Sequence, residues 1–296
     1  MTERGLERIV LGGRFGERPQ QLSNELVACF AERGGRWVET AHAYAGGRAE
    51  RAVGAAIEAC DLPLNVITKV GHPREDGRST LGSDSLSGHI VTSVERLGRP
   101  IDLVMLHRDD ERAPVERLLE PVVEAVRSGL ARRAGVSNWS LSRIECSYRL
   151  LGDTLGAVSL QISLVLPQRP IWPGTRAAEA NDLRWVAGHG MRLLAWSPLA
   201  RGWVPDPASA PTEAQAAFST PRNHALLRLC DRLADRCGCS RSVIALAGVL
   251  ARGDMIHPVV GAERAVELAD AAKAVALVGS AAWTEMRAHL EKASFA

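Results

Sequence analysis

Trp37-Val-Glu-Thr-Ala-His-Ala-Tyr44 reads as the end of a buried strand and the loop that leaves it. Arg36-Trp-Val-Glu-Thr40 has the aromatic and β-branched character of a short strand. Gly34-Gly35 offers the preceding helix a stop, and Gly46-Gly47 punctuate the loop before helical spacing resumes over 48–60. Glu39 thus falls where the strand ends, and Tyr44 lies on the loop beyond it. Parallel α/β proteins place their chemistry at that edge. Taken alone, the stretch is read equally well as a carboxylate capping a helix and a tyrosine packed under a loop.

Two later strand ends tilt the reading. Leu64-Asn-Val-Ile-Thr-Lys69 is a mainly apolar run that ends in an amine, and Ile101-Asp-Leu-Val-Met-Leu-His107 is one that ends in an imidazole. An acid, a phenol, an amine and an imidazole therefore stand at or just beyond three successive strands. Ionisable groups are uncommon inside proteins, so their gathering at one end indicates a site.

The same pattern extends over the chain. Strands are expected at 8–12, 36–40, 64–69, 101–107, 131–137, 157–161, 191–196 and 256–260. Helices are expected at 20–33, 48–60, 85–97, 114–128, 177–187, 225–237 and 242–251, with one capped by Ser140 and two more closing the chain. Longer loops cover 71–83, 163–176 and 202–221, and the acidic run Asp109-Asp110-Glu111 reads as a solvated loop. Strand then helix, eight times over with no composition break, predicts an α/β fold: a (β/α)8 TIM barrel as a single domain over residues 1–296.

Composition sets the class. With 46% hydrophobic and 24% charged residues and a net charge of +2, the chain has no charge field suited to nucleic acid or a membrane surface. No apolar run approaches the roughly 20 residues of a membrane span, and 1–7 is mostly polar, so a cytoplasmic protein is expected. Cys237-Gly-Cys239 is the one close cysteine pair; its spacing is not a zinc signature and no second pair completes it, so no metal site is expected.

The residues around Tyr44 resemble the aldo-keto reductase family. Its pattern there is an acid, Thr-Ala, two residues, Tyr, a Gly-rich turn and a Glu, followed by a strand-end Lys and a strand-end His. Here these are Glu39, Thr40, Ala41, Tyr44, Gly46, Gly47, Glu50, Lys69 and His107. The chain departs from the pattern at Glu39, where the family has Asp, at Ala45, where it has Gly, and at Ala49, where it has Ser. The resemblance implies reduction of a small carbonyl compound, with Tyr44 as proton donor and Glu39 holding Lys69. Lys69 would lower the pKa of the phenol, and His107 would orient the carbonyl oxygen.

No Gly-x-Gly-x-x-Gly fingerprint follows the first strand, so a Rossmann dinucleotide site is not indicated. The resemblance instead implies a cofactor site on the later loops. Ser137, Asn138 and Gln161 match positions that bond the nicotinamide carboxamide. Trp196 stands where an aromatic ring stacks on the nicotinamide. Ser197, Leu199, Arg201 and Gly202 lie in a stretch matching the pyrophosphate loop. Gly261 and Arg264 open a loop and helix suited to a 2′-phosphate. Glu267, however, occupies a position often held by Arg or Gln. NADPH is the expected cofactor, with NADH the alternative. Trp172 and Trp203 are candidate apolar walls for the substrate, and His42 reads as a solvated loop histidine. The competing reading is a barrel that binds nucleotide with little or no turnover.

Overall fold

A computed structural model of the chain describes residues 5–74, 77–280, 283, 284 and 287. Eight strands follow one another: β1 (Val10–Gly12), β2 (Trp37–Glu39), β3 (Asn65–Val70), β4 (Leu103–Leu106), β5 (Ala134–Ser137), β6 (Leu155–Gln161), β7 (Leu193–Trp196) and β8 (Ile256–Gly261). Each pairs in parallel with its sequence neighbours, and β8 pairs with β1, closing the barrel. The strands are short apolar runs rich in Val, Leu and Ile, as expected where both faces of a sheet are covered.

Side chains alternate along each strand, so every second residue points inward. Val10, Ile67, Leu103, Met105, Ala157 and Leu194 form a separate apolar cluster that fills the barrel. The same period carries Trp37 to Glu39, Ile67 to Lys69 and Met105 to His107. The three ionisable groups thereby lie above the apolar filling, at the C-terminal rim. Truncating a filling residue such as Ile67 to Ala is expected to cost about 2–5 kcal/mol through the cavity it leaves.

Ten helices surround the barrel among the described residues: α1 (Gln20–Glu32), α2 (Arg48–Glu58), α3 (Ser83–Leu97), α4 (Val115–Arg127), α5 (Leu141–Leu151), α6 (Ala180–Gly188), α7 (Thr212–Phe218), α8 (Pro221–Cys237), α9 (Arg241–Leu250) and α10 (Ala265–Val278). α4 shows why they pack as they do. Val115, Leu118, Leu119, Val122 and Ala125 recur at helical spacing and are all buried.

Three details differ from the sequence reading. The loop at 202–221 contains the short helix α7, seated by the buried Ala214, Ala217 and Phe218. α8 starts four residues before Ala225, because Thr220 caps it by accepting from the Asn223 amide and Pro221 fits its first turn. Ser140 occupies the cap position of α5 but makes no cap bond; its hydroxyl lies 3.3 Å from that of Ser142. The second closing helix lies largely outside the described residues.

Candidate active site

A cavity of about 1250 Å³ opens at the C-terminal rim. Of the site residues read from the sequence, Glu39, Tyr44, Lys69, His107, Ser137, Asn138, Trp196, Ser197, Leu199, Arg201, Gly202, Gly261 and Arg264 all line it. Gln161 does not. Its Nε2 donates to Ser163 Oγ at 2.9 Å, and residues 176–178 pair with its backbone and cover it. Ser159, two residues earlier on β6, lines the cavity instead.

Lys69 Nζ contacts Glu39 Oε1 as an ion pair and also donates to the Thr40 carbonyl at 3.1 Å. Glu39 Oε2 lies near Gly12, where a Cβ would be at an ordinary contact distance of 3.5 Å from it but only 2.9 Å from Val259 Cγ1. Burial, helped by the Arg108 charge, pushes Lys69 well below its ordinary pKa. The carboxylate in contact works the other way. The two groups behave as one unit that holds a proton and carries little net charge.

Tyr44 lies against this pair, with Lys69 Nζ 4.9 Å from the ring centroid. Its ring meets that of His107 edge-on, the centroids 5.6 Å apart. Tyr44 keeps 36% of its surface accessible, yet withdrawal from bulk water in the barrel mouth pushes its pKa up to about 12. Arg108 and Arg201 pull the other way. Burial outweighs the positive charges around the phenol, so its pKa lies above its ordinary value. His107 is held well below its ordinary pKa by burial, with Lys69, Arg108 and His72 adding to the effect, so its ring is neutral near pH 7. Its Nδ1 has no protein partner.

The turn that carries Tyr44 is tightly wound. Ala45, Gly46 and Gly47 all have positive φ, at 50°, 63° and 87°. A side chain at Gly47 would be strained by its φ of 87° and would push aside the Arg96 guanidinium, whose carbon lies 2.3 Å from where a Cβ would sit. Arg96 donates to the His42 carbonyl at 3.1 Å and to Glu50 at 3.1 Å, and Thr68 donates to the same carboxylate at 2.6 Å. His42 is not a solvated loop residue. It stacks on His89 with centroids 4.1 Å apart, behind the turn, and burial, His89 and Arg96 lower its pKa to about 4.

On the far side of the cavity, Asn138 Nδ2 donates to the His107 carbonyl and to Ser137 Oγ, leaving its buried Oδ1 without a partner. Trp196 stacks on Trp172, with centroids 5.9 Å apart and planes 27° from parallel. A further flat ring would have to use the other face of Trp196 or displace Trp172. Arg201 lies over Trp172 and pairs with Glu213. Arg264 is paired with Glu267 at 3.1 Å. Trp203 is buried against Phe218 and His224 rather than lining the cavity.

Arg108 was not singled out from sequence. It follows His107, is buried, and lines the cavity. The available signal was an arginine directly after a strand-end histidine. The acidic run beside it does not pair with it: Asp109 pairs with Arg143 of α5 at 2.8 Å and Asp110 with Arg112. Asp109 is therefore a half-buried ion-pair member, not part of a solvated loop.

Residues 8–291 match the sequence profile of the Aldo/keto reductase family. The 6-dehydroglucose reductase of Novosphingobium aromaticivorans is 30% identical over 194 residues, a match spanning 65% of this chain and 58% of that protein. The 6-dehydroglucose reductase of Agrobacterium fabrum is 26% identical, with 91% of this chain and 89% of that one covered. A crystal structure of an aldo-keto reductase from Klebsiella pneumoniae, in complex with NADPH, has the same fold: the TM-score is 0.76 at 21% identity, covering 99% of this chain and 95% of the other.

Proposed function

This chain belongs to the aldo/keto reductase family, and on that premise we propose that it reduces a small aldehyde or ketone to the alcohol, with NADPH as reductant. The observation that carries the reading is the convergence of Tyr44, Lys69, Glu39 and His107 on one cavity wall. Bound NADPH would supply the hydride for the carbonyl carbon. The residues of the chain bind the reactants, orient them and handle the proton.

The neutral His107 ring donates a hydrogen bond toward the carbonyl oxygen and fixes its position. Tyr44, held protonated by its raised pKa, gives its proton to the oxygen once that atom has gained negative charge. The proton goes only to a strongly basic oxygen, which ties its release to reduction. The Glu39–Lys69 pair holds a replacement proton beside the phenol ring. The orphaned Asn138 Oδ1 suits the N–H of a carboxamide, with Ser137 and Ser159 alongside. Residues 197–202, with positive φ at Ser197, Ala200, Arg201 and Gly202, form a compact turn suited to a pyrophosphate. Arg264 is the residue for the 2′-phosphate, although Glu267 competes for it; NADH remains the weaker alternative.

The relatives named as 6-dehydroglucose reductases add support for carbonyl reduction. Among the described residues no helix is long and apolar enough to cross a membrane, and we place the enzyme in the cytoplasm. The test is oxidation of NADPH and of NADH, followed by absorbance, across a panel of aldehydes and ketones. Turnover of at least one carbonyl supports the reading. Tight nucleotide binding with no oxidation across the panel would favour a binding barrel instead.

A further inference from the structure

We propose that Arg108 is a substrate anchor and that the carbonyl compounds this chain reduces carry a carboxylate near the reacting carbon. The proposal rests on the carbonyl-reductase reading above and names its substrate class. Arg108 is 8% exposed, lines the cavity and directly follows His107. Its Nη1 donates to the His107 carbonyl at 3.0 Å, while its buried Nε has no partner. Among the described residues no carboxylate pairs with it. A guanidinium withdrawn from water without a counter-ion is costly, and an anion delivered by the substrate relieves that cost.

The other cations of the cavity are already matched. Lys69 is paired with Glu39, Arg14 with Glu17, Arg201 with Glu213 and Arg264 with Glu267. Among the described residues Arg108 is the cation left over, and it lies close enough to Tyr44 for its charge to favour the phenolate. An anion held by it therefore sits within a short chain of the carbonyl that Tyr44 and His107 would address. The Pro173-Gly174 turn passes alongside the arginine stem: a Cβ on Gly174 would lie 3.4 Å from Arg108 Cδ. Trp172 and Pro173 line the same region and suit an apolar spacer. A single unmatched charge fits a carboxylate. A phosphate, with nearly two charges, would remain half neutralised in a buried place. A planar guanidinium also matches a carboxylate through two parallel hydrogen bonds.

The test compares 4-oxobutanoate with its methyl ester, and glyceraldehyde 3-phosphate with glyceraldehyde, in the parent protein and in Arg108→Gln and Arg108→Lys. The parent is expected to prefer the acid to its ester in kcat/KM. Arg108→Gln is expected to lose about 10–100-fold on the acid, chiefly through KM, with a smaller loss on the ester. Arg108→Lys keeps the charge and should retain part of the preference. An acid and ester reduced equally well by the parent would overturn the proposal, as would equal losses on both in Arg108→Gln, which would assign Arg108 to the proton step alone. A preference confined to the phosphate pair would also overturn it. If no carbonyl is turned over, the reading of the reaction fails, and calorimetry then decides the anion site. Butanoate binding to the NADPH-saturated protein, weakened by Arg108→Gln, would uphold the site; no butanoate binding to the parent would sink it.

Discussion

Glu39 and Lys69 form a buried ion pair between the ends of adjacent strands, with Lys69 Nζ in contact with Glu39 Oε1 and only 11% and 5% of the two side chains exposed. The longer acid reaches its partner because both residues lie on the inner face at the ends of adjacent paired strands.

Removing one member of a buried pair strands the other. Glu39→Gln is expected to lower stability by about 3–5 kcal/mol, less whatever Lys69 recovers by giving up its proton. Glu39→Asp keeps the charge, should lose clearly less, and should preserve or raise the reduction rate. Urea unfolding of both variants checks this; a Glu39→Gln protein as stable as the parent would show that the pair contributes nothing.

Ala45 carries a side chain at φ 50°, where left-handed backbone disfavours any Cβ by about 1–2 kcal/mol. Ala45→Gly removes that cost and adds the entropy of a freer unfolded chain. The net expectation is a gain of up to about 1 kcal/mol and a rise in Tm of about 1–3 °C. A lower Tm in calorimetry would mean the turn is not strained.

How much of this was legible from sequence depends on whether a feature is set locally. Period-two alternation put Glu39, Lys69 and His107 on the inner face because strand geometry alone decides it. Gly46-Gly47 announced the turn at Tyr44 for the same reason. Arg108 was hidden because its isolation depends on Asp109 choosing Arg143, a residue 34 positions away. Gln161 read as a cavity residue because nothing local shows that 176–178 fold back over it. The stacking of His42 on His89 brings a loop together with α3, and α7 is seated by contacts of three small or aromatic residues with the core. Neither is written in local periodicity.

Acid should weaken the fold over a defined window. His42 and His257 are both lowered from 6.5 to about 4, chiefly by burial. Between those values the unfolded chain binds protons that the folded chain refuses. Stability is therefore full above about 6.5 and falls as pH drops toward about 4. Urea midpoints measured from pH 7.5 to 4.5 should decline, and the slope should flatten in His42→Gln. A slope of the same steepness in that variant would remove His42 from the account.

Cofactor preference should respond to the acid that occupies Arg264. Glu267→Gln frees the guanidinium and removes a negative charge from the proposed phosphate site. NADPH binding should tighten by about two- to fivefold, the scale of an exposed ion pair, with NADH little changed. Fluorescence titration with both nucleotides decides it; an equal change for the two would show that no 2′-phosphate lies there.

The central claim is that Tyr44 donates the proton, and Tyr44→Phe tests it most directly, since it keeps the ring against Lys69 and His107 and removes only the hydroxyl. NADPH affinity should be retained while single-turnover reduction of an active carbonyl slows by roughly 10²–10⁴-fold, the effect of losing a positioned acid. Undiminished turnover in Tyr44→Phe, with NADPH still bound, would contradict the account.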